Sequence, residues 1–243
     1  MKLIPFILFL SLLSTGEILA QDLKKVNYQI DFGTTLSMPY KKTIEVWPEL
    51  ENHPETNFSA DWGYFFEMIL SVPINSRNSI LTGLNYSYFS TKINDRNGSF
   101  EHRGTISNSY ITLPLMFKYR FSEEIPVSIA SGPYLSFLVG AKEKGYTHFD
   151  SSKLDTDTPD PIFEPLEPTQ EYNRDVKENY ASTDYGLAIQ LDYEISVREK
   201  YNILLLTRFN YGLKDVITSN LDTQNTASYW KNYSFMFGAG FKF

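Results

Sequence analysis

From Val26 onward, hydrophobic side chains recur at every second position, and they do so in eight separate segments. "DYGLAIQLDYEI" states the rule. Tyr185, Leu187, Ile189, Leu191, Tyr193 and Ile195 fall on one face; Asp184, Gly186, Ala188, Gln190, Asp192 and Glu194 fall on the other. A period of two belongs to the β-strand, whose successive side chains point to opposite faces. The same alternation runs through "VNYQIDFGTTL", "WGYFFEMILSVPI", "ILTGLNYSYFS", "YITLPLMFKYRF", "PVSIASGPYLSFLVGA", "NILLLTRFNYGLK" and the closing "NYSFMFGAGFKF". Ten residues of tilted strand cover roughly 23 Å, close to the apolar band of a membrane-spanning barrel.

The connections alternate as strictly as the side chains. They are short at 75–79, 122–125 and 197–200, and long at about 39–60, 92–108, 142–180 and 215–231. Short periplasmic turns and long extracellular loops produce this order in an up-and-down barrel, and an even strand number puts both ends of the barrel on the periplasmic side. The expected fold is therefore all-β, an eight-stranded antiparallel up-and-down transmembrane β-barrel.

A soluble barrel with an apolar cavity shares the pattern but turns its greasy face inward. Glycine separates the two. Of 13 glycines, those in strands (Gly33, Gly63, Gly83, Gly132, Gly140, Gly186, Gly212, Gly238 and Gly240) all sit on the polar face. Glycine weakens a water-facing strand, whereas an eight-strand interior is only wide enough to be filled by side chains. The polar face is thus read as the lumen and the aromatic face as the lipid surface. Inward charges balance: Asp31, Glu67, Asp192 and Glu194 against Lys118, Arg120, Arg208 and Lys242. They are expected to form a lumen charge network, because an unpaired buried charge is costly. Asp184 and Lys214 are expected near strand ends, within reach of water.

The N-terminus "MKLIPFILFLSLLSTGEILAQDL" has a basic Lys2, an apolar run from Leu3 to Leu13 and a small residue, Ala20. It reads as a signal peptide over 1–20, cleaved after Ala20, leaving 21–243 as the barrel domain. A formal charge of −7 without a basic stripe argues against nucleic acid as a partner. The absence of cysteine removes disulfides and thiol chemistry.

"SYITLPLMFKYRF", "ASGPYLSFLVGA", "DYGLAIQLDYEI" and "RFNYGLKDV" together resemble the PorT-like outer-membrane β-barrel family. The carrying motifs are I-x-L-P-L at Ile111 to Leu115, G-P-Y at Gly132 to Tyr134 and Y-G-L at Tyr211 to Leu213. The resemblance implies an outer-membrane location in a Gram-negative bacterium and a link to protein secretion. It brings no catalytic or binding residue to carry over.

Chemistry-bearing residues are sparse. His53, His102 and His148 fall in the expected extracellular loops, with no spacing that joins them to a nucleophile. The longest loop is acidic, and Pro159, Pro161, Pro165 and Pro168 are expected to keep it irregular. Asp155, Asp157 and Asp160 are a calcium candidate without the spacing or glycine of a calcium loop. Ile162, Phe163 and Leu166 interrupt the acids as candidate partner contacts.

No cofactor and no catalytic or metal residue is assigned. The reading is a non-enzymatic envelope or membrane-complex component acting through its extracellular loops. A small-solute pore and a rim-located enzyme stand as alternatives. Expected partners are outer-membrane lipid, a protein at the extracellular loops, and the barrel-insertion machinery through Phe241 and Phe243 of the C-terminal strand.

Overall fold

A computed structural model describes residues 26–45, 57–97, 100–122, 124–149, 169–198, 201–217 and 226–243. Nine strands occupy them: β1 (Asn27–Glu45), β2 (Asn57–Pro73), β3 (Asn78–Asn97), β4 (Phe100–Arg120), β5 (Val127–Phe149), β6 (Thr169–Asp175), β7 (Thr183–Arg198), β8 (Tyr201–Gly212) and β9 (Thr226–Lys242). All pairings between strands are antiparallel. Every strand except β6 belongs to a ring, which closes where β1 meets β9 and where β5 bridges β4 and β7.

The closure is tight at its lower end. Tyr28 and Phe243 exchange backbone hydrogen bonds of 2.9 Å in both directions, and their rings stack at 6.3 Å. From there β1 and β9 stay in register from Gln29↔Lys242 to Glu45↔Thr226. Such closure matters in lipid, where an open edge would leave backbone groups unpaired. The short turns gather at the same end. In the first, Asn75 Oδ1 accepts from the backbone N–H groups of Arg77 and Asn78 at 3.0 and 2.8 Å, an asparagine-stabilised turn.

The wall is apolar outside and mostly polar inside. Trp62, Met68, Leu115, Ile189 and Phe241 lie exposed on the outer surface, whereas Asp31, Glu67 and Asp192 are fully buried within. A water-soluble protein does not expose a continuous aromatic belt while burying its carboxylates. The interior is not wholly polar, however. Phe65, Leu204, Leu206 and Met236 form one buried cluster, and Ile69, Leu81, Met116 and Tyr134 belong to another. Phe65 lies across the facing glycines Gly33 and Gly238: a Cβ on either would come within 2.8 or 2.6 Å of its ring.

The expected loops are shorter than the alternation suggests, because the strands run past the lipid band. Residues 92–97 and 100–108 continue the β3–β4 pairing, and β5 runs to Phe149 with β6 paired on its edge over Lys142↔Asp175 to His148↔Thr169. The irregular loop expected over 142–180 is thus partly strand. Likewise β1 extends to Glu45, and β9 begins at Thr226. Above the lipid both faces of a sheet meet water, so no apolar alternation marks it. The prolines of the acidic loop lie outside the described residues.

Candidate functional site

The lumen is built from inward positions of strands far apart in sequence. At its centre the Arg208 guanidinium on β8 donates two bonds of 2.7 Å to the Glu67 carboxylate on β2. Its Nε donates to Gln190 Oε1 at 2.6 Å. Gln190 passes the chain on, donating from Nε2 to Asp192 Oδ1 at 2.6 Å, and Lys118 donates to Asp192 Oδ2 at 2.6 Å. Asn85 completes Glu67 at 3.0 Å. Five strands, β2, β3, β4, β7 and β8, are tied across the barrel by this one network. Two-pronged arginine–carboxylate pairing supplies both charge and geometry in a space with little water.

Asp31, the cross-strand neighbour of Glu67, lies beside this chain. One of its oxygens accepts from Gln29 at 2.5 Å, while Oδ1 has no hydrogen-bond partner among the described residues. Gly240 leaves the room Oδ1 occupies, since a Cβ there would overlap it. A second group lines the lower mouth. Glu194 accepts from Arg120 at 2.9 Å, from Lys242 at 3.1 Å and from Asn202 at 2.6 Å. All eight charges singled out in the sequence therefore face the lumen, seven of them joined in ion pairs. The residues that connect them, Gln29, Asn85, Gln190 and Asn202, carry no charge and were missed. Their inward position in the alternation was the available signal.

The upper lumen corrects another expectation. Asp184 is 3% exposed rather than open to water, and it accepts from Asn232 at 3.1 Å. Lys214 donates to Thr183 at 2.7 Å. Tyr110, Leu138, Ala141, Val176 and Tyr180 cover this level, with Phe89 and Ile106 packed against them. Val176 and Tyr180 come from the segment that follows β6. It folds over the mouth with a 3-10 turn at Lys177–Asn179 and backbone bonds from Val176 N to Ala141 O and from Ala181 N to Val216 O. Among the described residues, small cavities of about 30 and 10 Å³ lie at this level.

The rim itself carries an ordered cluster. Val139 is an extra residue in β5, since Tyr110 pairs with Leu138 and Ser109 with Gly140. Such a bulge shifts the faces of the strand. Tyr134, Ser136 and Leu138 are buried below it, and Ala141 and Glu143 above. Glu143 pairs with Arg174 of β6 at 2.8 Å and approaches His102 Nε2 at 3.5 Å. The His102 ring stacks on Tyr172 at 5.3 Å, its Nε2 is 3.1 Å from the Tyr172 hydroxyl, and its Nδ1 is 3.2 Å from Thr147 Oγ1. Tyr172 fits because Gly104 and Gly145 face each other beneath it. Burial and then the neighbouring Glu143 carboxylate push its hydroxyl up to about 12.

His102 and His148 thus stand on strands rather than in loops. Thr147 is the register partner of His102, so His148, one residue further, belongs to the opposite face, where its Nδ1 lies 2.9 Å from Thr169 Oγ1. His53, the candidate calcium carboxylates Asp155, Asp157 and Asp160, and Ile162, Phe163 and Leu166 lie outside the described residues. Among the described residues, no group of three histidines or carboxylates could hold a metal ion. Phe241 and Phe243 stand on the outer wall near its lower edge, half exposed.

A closed ring of eight strands, aromatic outside and charged within, is an integral outer-membrane β-barrel. The chain belongs to the outer membrane protein beta-barrel domain family, whose model matches residues 19–218, and its place is the outer membrane of a Gram-negative bacterium. Similar solved structures include OprG from Pseudomonas aeruginosa, 13% identical over 89% of this chain and 95% of that one, with a TM-score of 0.43. Neisserial surface protein A is 13% identical over 89% and 95%, with a TM-score of 0.41. The outer membrane protease OmpT from Escherichia coli is 12% identical over 90% and 96%, with a TM-score of 0.37. No curated protein matches the sequence.

Proposed function

We propose that the protein is a non-enzymatic, non-conducting component of the outer membrane that holds a protein partner at the cell surface through its extracellular sheet. The observation that carries this reading is the height of the strands above a filled lumen. β4 contains 21 residues. At about 3.3 Å each and a tilt of about 40°, that is roughly 50 Å of height against an apolar band about 25 Å tall. About half of the β3–β4–β5–β6 sheet therefore stands above the membrane. The cross-barrel network and the Val176–Tyr180 cover argue for a scaffold rather than a passage. His102 is engaged by Thr147, Tyr172 and Glu143, which suits a structural rim better than catalysis. The PorT-like resemblance makes a secretion complex the first partner to look for.

A photo-reactive residue at Lys144 or Glu171, both exposed on this sheet, is expected to cross-link one protein in intact cells. The same probe at lipid-facing Leu115 is expected not to. Absence of any adduct from both sheet positions would overturn the reading, and stable conductance steps in planar bilayers would favour a pore instead.

A further inference from the structure

The lower mouth of the barrel, on the short-turn side that faces the periplasm, holds a cavity of about 690 Å³. Its charged lining consists of Arg77, Lys118, Arg120 and Lys242, with Ser71, Ser79, Asn75 and Asn78 as neutral donors between them. No carboxylate lines it among the described residues. The two acids that pair with this wall are set behind it: the Asp192 side chain is fully buried behind Lys118, and Glu194 is shared between Arg120 and Lys242. Four cations thus face two carboxylates, an excess of two positive charges in a recess. Arg77 carries one of them. It sits exposed on the β2–β3 turn, and the other three cations are anchored in the wall.

We infer that this vestibule is a binding site for a phosphate group presented from the periplasmic side. A free phosphate dianion would neutralise the excess, and the single negative charge of a lipid phosphodiester would neutralise half of it. It would accept from Arg77 and Arg120, whose planar donors match phosphate oxygens, and from the fixed ammonium of Lys242. Its desolvation is limited because the cavity opens to water on one side, while the lumen above closes it with the Lys118–Asp192 pair. The site is independent of the extracellular sheet, so its failure leaves the surface-scaffold reading intact.

The phosphate could be free or belong to a lipid headgroup, and two arms separate these sources. In the first, inorganic phosphate is titrated into the full-length barrel in dodecyl maltoside micelles and followed by calorimetry and ³¹P line broadening. Saturable binding is expected, weakened at least fivefold by Arg77→Ala and by Arg120→Gln. Among the described residues Arg77 bonds to the fold through its backbone, its N–H to Asn75 Oδ1 and its carbonyl to the Arg120 N–H, so a side-chain variant keeps normal heat-modifiable migration. In the second arm, the barrel is placed in phosphatidylglycerol nanodiscs. A headgroup ³¹P signal shifted by the wild type but not by Arg77→Ala assigns the phosphate to lipid. No saturable binding in either arm, or binding indifferent to both substitutions, overturns the proposal.

Discussion

Glu67 shows what a single buried side chain decides in this barrel. Among the described residues it is the only carboxylate that holds Arg208 by both terminal guanidinium nitrogens, and both side chains are buried. Replacing it by glutamine keeps the volume but leaves a buried cation with a neutral partner. Breaking a buried pair from one side costs about 3–5 kcal/mol. Glu67→Gln is therefore expected to lower the urea midpoint of the folded, heat-modifiable form by an amount in that range, whereas Glu194→Gln at the open mouth lowers it less. Equal midpoints for the two variants would contradict the central position of the Glu67–Arg208 pair. Phe65 makes the complementary point. Its ring enters the narrow lumen where Gly33 and Gly238 face each other, so the glycines are legible in the sequence and their occupant is not.

At the scale of elements, β6 is the strand with the least support. It pairs along one edge only, to the extension of β5, and its one part-buried side chain is Tyr172. That ring, seated on Gly104 and Gly145 and stacked on His102, joins the Glu143–Arg174 pair in fastening β6 to the rim. Tyr172→Ala is expected to raise the rate of trypsin cleavage at Arg174 and Lys177 about tenfold, equivalent to ~1.4 kcal/mol of local opening. The barrel below should keep its heat-modifiable migration. Unchanged cleavage would mean that the strand is held by other contacts. The bulge at Val139 belongs to the same scale. One additional residue turns Glu143 to the lumen side, which is why the rim cluster and the interior charges share a continuous face.

For the whole molecule, closure is the decisive event. Phe241 pairs with Ile30 on one side and Ile203 on the other, and Phe243 ends the seam against Tyr28. Deleting Phe241–Phe243 removes the lower end of the seam and an expected contact for the insertion machinery. Several-fold less heat-modifiable barrel should then accumulate in the membrane, read by gel shift and immunoblot. Normal levels would show that insertion reads another segment. The eight alternating segments, their short turns and their lipid-facing residues could be read from the sequence, because each is a local pattern imposed by a wall with lipid on one side and a crowded lumen on the other. The height of β3, β4 and β5 could not, because above the membrane water wets both faces and the pattern disappears.

The sequence by itself determined the strand period, the outward face, the set of eight inward charges and the even-numbered ring. All follow from the two-residue repeat of a strand and from where glycine is tolerated. Only the tertiary structure decided how those charges are matched. Arg208 and Glu67 are 141 residues apart, and Lys118 and Asp192 are 74 apart. Which of four acids faces which of four bases depends on strand register and barrel shear, neither of which is written into any one strand. The same holds for the cover formed by Val176 and Tyr180 and for the cationic vestibule at the lower mouth, which exist only once the ring has closed.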